Sequence, residues 1–253
     1  MHVLIAIPVY NEQDHVNEVL HRVRRYAPGD ILVVDDGSTD NTPMLLAQQP
    51  VEVIRHAENR GYGRSMVNAF CWAIVGKYDW IITMDCDEQH EPAAIPDFLA
   101  AIERDDADII SGSRYATDLP GNDNPPGERR HINHVLTREL NDRLGLNLTD
   151  AFCGFKAYRV EALRWLDLNV DGYAFPMQFW VQAAARRLVI REIPVRLIYN
   201  DLSRTFGGLL DDAAHRLAHY RQVMETEMQR FAEALPSASP RENNSLCSGR
   251  CSC

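Results

Sequence analysis

Short apolar runs alternate with amphipathic stretches through the first half of the chain. Residues 2–9, 31–34, 51–54, 79–84 and 108–112 are too short and too uniformly apolar for helices, and they read as buried strands. Between them Val16, Val19, Leu20 and Val23 recur at helical spacing to about Tyr26, where Pro28-Gly29 breaks the run. Met66, Phe70, Ala73 and Ile74 repeat that spacing after Gly61-Tyr62-Gly63, as do Ile95, Phe98, Leu99 and Ile102 after residue 90. Ser38, Thr39 or Asp40 is placed to cap a helix starting near Pro43. Strands and helices in this alternation predict an α/β fold, a mostly parallel sheet with helices on both faces.

The second half is less regular. Residues 116–128 are rich in Pro, Gly, Asn and Asp and predict a surface loop, followed by a helix from Arg129 or Arg130 to Leu144. A strand is expected over residues 152–158 and a helix over 175–188. A last strand over 189–199 is interrupted by Pro194, which places it at a sheet edge. From Leu209 on, Leu210, Ala213, Ala214, Leu217, Met224, Met228 and Phe231 trace one face of a long helix. Its polar face mixes both charges, which suits packing on the domain or a partner better than lying on lipid. The expected division is a domain over 1–208, an amphipathic helix over 209–235 and a disordered tail over 236–253. Cys247, Cys251 and Cys253 crowd that tail without a fourth metal ligand nearby.

With 253 residues, 45% of them hydrophobic, the chain can bury a substantial core. No apolar run approaches the roughly 18–20 residues that span a bilayer, and the N-terminus reads as a strand rather than a signal peptide, so a cytoplasmic protein is expected. A net charge of −10 disfavours nucleic acid as a partner. Cys71, Cys86 and Cys153 are scattered as reduced thiols would be.

Ligands of parallel α/β sheets bind beyond the carboxyl ends of the strands. Three predicted strand ends carry polar clusters: Tyr10-Asn11-Glu12, Asp35-Asp36 and Asp85-Cys86-Asp87. Asp85 and Asp87 are ionised at neutral pH, since a free aspartate titrates at about 3.9, and they repel each other. An oxygen-loving Mg²⁺ or Mn²⁺ relieves that repulsion. An isolated Asp-x-Asp is more often a solvated turn; the convergence of three clusters is what favours a site. No Gly-x-Gly-x-x-Gly follows the first strand, which argues against a dinucleotide fold.

Taken in order, Pro8-Val9-Tyr10-Asn11-Glu12, Asp35-Asp36-Gly37-Ser38-Thr39-Asp40, Asn59-Arg60-Gly61-Tyr62-Gly63 and Asp85-Cys86-Asp87-Glu88-Gln89-His90 resemble the motifs of family 2 glycosyltransferases, over roughly residues 3–208. Gly112-Ser113-Arg114-Tyr115 and Cys153-Gly154-Phe155-Lys156 are similar to segments of the dolichyl-phosphate mannosyltransferase branch. The resemblance implies a GT-A fold and a donor that is a GDP- or UDP-linked sugar of the mannose or glucose type. It matches Pro8, Tyr10, Glu12 and Asp36 to the base and ribose, and Asp85, Asp87 and Gln89 to the metal. Arg114, one of Arg129 and Arg130, and Arg204 fall to the acceptor phosphate, with Lys156 also at the substrate.

Many family members acting on hydroxyls carry an acidic base near Phe175-Pro176-Met177-Gln178, where this chain has Gln178. A phosphate monoester, with a second pKa of about 6, needs no base; it needs cations to position it, a task suited to arginine. The expected reaction is therefore metal-dependent, inverting transfer, with a polyprenyl phosphate as first-choice acceptor. Such an acceptor implies peripheral membrane contact, and a homodimer is compatible with the sequence. The alternatives are a soluble enzyme acting on a hydroxyl and a catalytically silent sugar-nucleotide-binding scaffold. Ser203-Arg204-Thr205-Phe206-Gly207-Gly208 departs from the Gly-x-Ser-Lys pattern of the branch.

Overall fold

Uniformly apolar strands need cover on both faces, and alternate residues of β1 (Val3–Val9) find it on opposite sides. Leu4 and Ala6 join a core with Met66 and Phe70 of α3 (Tyr62–Val75) and Phe175, Phe179 and Trp180 of α7 (Phe175–Ala185). Val3, Ile5, Ile7 and Val9 face a second core with Val16, Val19 and Leu20 of α1 (Val16–Val23) and Phe98 of α4 (Ile95–Glu103). The structure, a computed structural model, describes residues 1–27, 29–199 and 205–235. Pro28, Arg204 and the three terminal cysteines lie outside the described residues.

The seven strands run in the order β3-β2-β1-β4-β6-β5-β7. β1 pairs in parallel with β2 (Ile31–Asp35) and with β4 (Trp80–Thr83), and β2 pairs with β3 (Glu52–Arg55). The chain therefore winds to one side of β1 and then crosses to the other, which opens a crevice at the strand ends between β1 and β4. β6 (Lys156–Arg159) is antiparallel and lies between β4 and β5 (Ile109–Ser113). Its register sets Lys156 opposite Thr83. β7 (Ile190–Pro194) is an edge strand, as Pro194 predicts.

Some boundaries move for identifiable reasons. The expected strand over 152–158 joins the ladder only at Lys156, because the Thr83 hydroxyl donates to the Gly154 carbonyl at 2.8 Å and holds that segment against the end of β4. α2 (Thr42–Leu46) has no side-chain cap from Asn41; Asp40 instead accepts from the Thr42 N–H at 2.9 Å. α5 (Gly127–Leu144) starts ahead of Arg129. The short α6 is Val160–Leu163. α8 (Ala213–Arg230) packs on α7 and α5, and its buried stripe is Arg216, Tyr220, Met224 and Glu227, whereas Ala214 is exposed. Among the described residues no helix is long and apolar enough to cross a membrane.

Candidate active site

A cavity of about 630 Å³ opens over the carboxyl ends of β1, β2 and β4 and runs beneath α5, α7 and α8. The loops after β1 and β2 are stitched together. Asn11, in the left-handed conformation at φ 55, donates its N–H to the Ser38 hydroxyl at 2.9 Å and accepts from the Thr39 N–H at 2.8 Å. The Glu12 N–H donates to the Thr42 hydroxyl at 2.9 Å. Pro8, Tyr10, Glu12 and Asp36 all line the cavity.

Asp36 is buried, with both carboxylate oxygens engaged. It accepts from His56 Nδ1 at 2.6 Å and from the Arg60 and Gly61 N–H groups at 2.8 Å each. The Asn68 amide donates to His56 Nε2 at 2.7 Å, which sets the tautomer. Asp36 thus fastens the end of β2 to the start of α3. The two glycines there answer a close backbone approach: a Cβ on Gly61 would strike the Asp171 carbonyl, and one on Gly63 the Val170 carbonyl.

Asp85, Asp87 and Gln89 line the same cavity. His90, only 4% exposed, accepts the Asp85 N–H on Nδ1 at 2.9 Å. Burial pushes its pKa down to about 4 against the opposing pull of Asp87, so the ring is neutral and serves as an acceptor. On the other flank a Cβ at Gly154 would come within 2.5 Å of the Asp85 carboxylate, so only glycine admits that carboxylate. Among the described residues no cluster of three or more His, Cys, Asp or Glu could hold a metal ion. Asp85 and Asp87 present a pair of hard carboxylates to the cavity. Such a pair fits a hard divalent cation that takes one or two protein carboxylates and completes its shell with water and phosphate.

The same cavity also carries cations. Arg114, Arg129 and Lys156 line the cavity; Arg130 does not, and its guanidinium lies 5.9 Å from the Tyr115 ring centroid. Arg129 Nη1 donates to the Tyr199 hydroxyl at 2.5 Å. Arg114 makes a two-pronged contact with fully buried Asp150, Nε to Oδ2 at 2.6 Å and Nη2 to Oδ1 at 2.9 Å. Burial pushes the Asp150 carboxyl up, but Arg114 and the Asn133 amide pull it further down, well below the usual carboxylate range. Lys156 is buried, donates to the Cys153 carbonyl and lies 5.5 Å from the Trp180 ring centroid; burial lowers its pKa. Burial also raises the Cys153 thiol to about 11, which removes it as a nucleophile.

Gln178 is turned away from the cavity. Its carbonyl accepts from the Asn169 and Val170 N–H groups at 2.8 and 2.9 Å, clamping the loop that packs on Gly61 and Gly63. The carboxylates lining the cavity among the described residues are Glu12, Asp36, Asp85 and Asp87, all from the strand ends. Sequence reasoning did not single out His56, His90, Asp150 or Arg216. His90 stood inside a quoted motif, five residues after Asp85; the other three are recruited by partners remote in sequence and leave no local signal.

The sequence model described as "Glycosyl transferase family 2" matches residues 4–166. The chain is 34% identical over 226 residues to the undecaprenyl-phosphate mannosyltransferase of Micrococcus luteus, covering 84% of this chain and 91% of that one. It is 30% identical over 231 residues to the polyprenol monophosphomannose synthase of Mycolicibacterium smegmatis, covering 86% of each. Among solved structures, glucosyl-3-phosphoglycerate synthase of Mycobacterium tuberculosis, crystallised with Mn²⁺, UDP and glucosyl-3-phosphoglycerate, superposes with a TM-score of 0.66. It is 18% identical, with coverage of 94% of this chain and 81% of that one, and the likeness shows the GT-A fold.

Proposed function

The chain belongs to glycosyltransferase family 2, and from that premise we propose that it moves a hexosyl group from a nucleotide diphosphate sugar to a phosphate monoester, a polyprenyl phosphate first among them. The observation that carries this reading is the set of cations in the cavity lining. Beside the strand-end carboxylates the lining offers Arg114, Arg129 and Lys156, and among the described residues it adds no carboxylate or histidine from the acceptor helices to serve as a base for a hydroxyl. A phosphate monoester is already a nucleophile at neutral pH, and its charge answers those cations. The names of the mannosyl-transferring relatives support the same acceptor.

In this reading Asp85 and Asp87, with Gln89 beside them, would hold Mg²⁺ or Mn²⁺. Such an ion, when bound, acts as a Lewis acid for the departing diphosphate, and the Mn²⁺ and Mg²⁺ complexes of glucosyl-3-phosphoglycerate synthase support a divalent cation. The rest belongs to the chain. His90 holds the Asp85 backbone and Gly154 leaves room for its carboxylate, and Asp36 holds the start of α3 against the donor side. Arg114, immobilised by Asp150, and Arg129 orient the acceptor anion for attack on the face of the anomeric carbon opposite the leaving diphosphate, which inverts that centre. A polyprenyl phosphate lies in a bilayer, so the protein would meet it at the membrane surface.

The test is transfer of radiolabelled sugar from GDP-mannose, UDP-glucose or UDP-N-acetylglucosamine to undecaprenyl phosphate in detergent. Organic-soluble product whose formation stops with EDTA is expected. Transfer to hydroxyl acceptors alone would refute the acceptor, and donor binding without turnover on any acceptor would refute the enzyme.

A further inference from the structure

Residues beyond the family-matched segment 4–166 also line the cavity, among them Tyr199, Phe206, Arg216 and Tyr220. Arg216 is the unexpected one. It projects from the buried stripe of α8 with 2% of its surface exposed, yet it lines the cavity. Its guanidinium lies 4.3 Å from the centroid of the Phe206 ring, and that of Arg129 lies 4.9 Å from the same centroid. One aromatic ring thus braces two cations at the same end of the site.

A buried guanidinium stays charged and needs compensation. Arg216 Nη1 donates to the Leu210 carbonyl at 2.5 Å, and Nη2 pairs with Glu128. The two partners are unequally placed: the Arg216 side chain is 3% exposed and that of Glu128 52%. Glu128 sits in the first turn of α5, beside Arg129 in sequence. Its carboxylate can rotate into water with little penalty, whereas Arg216 cannot leave. Carboxylate and phosphate oxygens present the same acceptors to a guanidinium.

We propose that Arg216 binds the acceptor's phosphate and that Glu128 is its resting counter-ion, displaced when a phosphate monoester arrives between Arg216 and Arg129. This rests on the reading of the acceptor given above. It makes the C-terminal helix part of the acceptor site, with Glu128 competing against the substrate for one guanidinium.

The partners of the pair are tested separately. Arg216→Gln should raise the acceptor KM about tenfold or more, as loss of a charged hydrogen bond does. Glu128→Gln should lower it by about two- to fivefold, the worth of an exposed ion pair. Donor KM should stay unchanged in both. A purely structural tie predicts effects of the same sign, or a lowered Tm with no change in KM, and either result overturns the proposal. Should Arg216→Gln fail to fold, Arg216→Lys keeps the charge, loses the fork and should give a smaller rise in KM.

Farnesyl phosphate in detergent and 3-phosphoglycerate in solution serve as the two acceptor arms. Opposite signs with both support a seat for any phosphate monoester, opposite signs with farnesyl phosphate alone assign it to a lipid headgroup, and opposite signs with neither overturn it. If wild-type enzyme glycosylates no phosphate monoester, the functional reading fails by itself. The seat is then judged by titrating the same two compounds and inorganic phosphate calorimetrically, where Kd values shifting in opposite directions uphold it and equal shifts overturn it.

Discussion

The acidic and the basic residues lining the cavity are built in by different means. The acidic residues stand at the ends of parallel strands, and hydrogen bonds within and between the adjoining loops hold them in place. Asp85 is braced by His90, five residues on, and the loops after β1 and β2 are laced by backbone N–H groups donating to Ser38, Thr42 and Asn11. The basic residues come from the end of β5 and from β6, α5 and α8, and two of them are matched to carboxylates far along the chain. Arg114 pairs with Asp150 across 36 residues, and Arg216 with Glu128 across 88. A carboxylate pair at the mouth of a cleft stays solvated enough to wait for a cation, Asp85 being 33% exposed. Deeply placed guanidiniums cannot wait uncompensated, so the fold supplies internal anions.

The largest expected effect breaks the basic set. Asp150→Asn leaves the Arg114 guanidinium, 17% exposed, without its counter-charge and should cost about 3 kcal/mol of stability, the low end for breaking a buried pair, measured by urea unfolding at neutral pH. The gap should close on acidification. The Asp150 carboxyl titrates well below the free value of about 3.9, so its contribution is complete above that pH and disappears as pH falls through the folded-state pKa. A gap that persists in acid would show that packing, not charge, is lost.

Breaking the acidic set should leave the fold and remove the chemistry. Asp85→Ala is expected to lower kcat about 10²–10³-fold, the scale for removing one electrostatic contact to the transition state. Thermal melting should be nearly unchanged without ligand, while the metal-dependent stabilisation by donor disappears. Gly154→Ala sharpens the point without touching a charge. Its Cβ, 2.5 Å from Asp85 Oδ2, displaces the carboxylate, and a displacement of that order costs about 10²-fold in rate. Gly127→Ala, with nothing within 4 Å, is the matched control and should be silent. The smallest effect separates neighbours among the arginines. Arg129→Ala should raise acceptor KM about tenfold, and Arg130→Ala, outside the cavity lining, should leave it near wild type; equal effects would dissolve that distinction.

Much of this was legible in the chain itself. The apolar runs of β1, β2 and β4 are read correctly because strands covered on both faces must be apolar throughout, and each ends at the polar cluster that meets the cavity. Pro194 marks an edge strand for a local reason, its missing N–H. Short-range signals also carry Asp85, Asp87 and Asp36 to the cavity wall, since whatever ends a parallel strand at the crevice faces the ligand.

What the sequence by itself determined is therefore the α/β alternation, the acidic strand ends and the family, all encoded within windows of a few residues. Tertiary structure alone decided that β6 runs antiparallel between β4 and β5 and brings Lys156 beside Thr83. It also decided that Gly61 and Gly63 are glycines because the 170–171 backbone lies on them, that Gln178 clamps a loop, and that Arg216 of an outwardly amphipathic helix points into the site. The reason is physical. Hydrophobic periodicity records which face of an element is buried, whereas the partner of a buried charge is chosen by whichever distant element the packed core brings within hydrogen-bond reach.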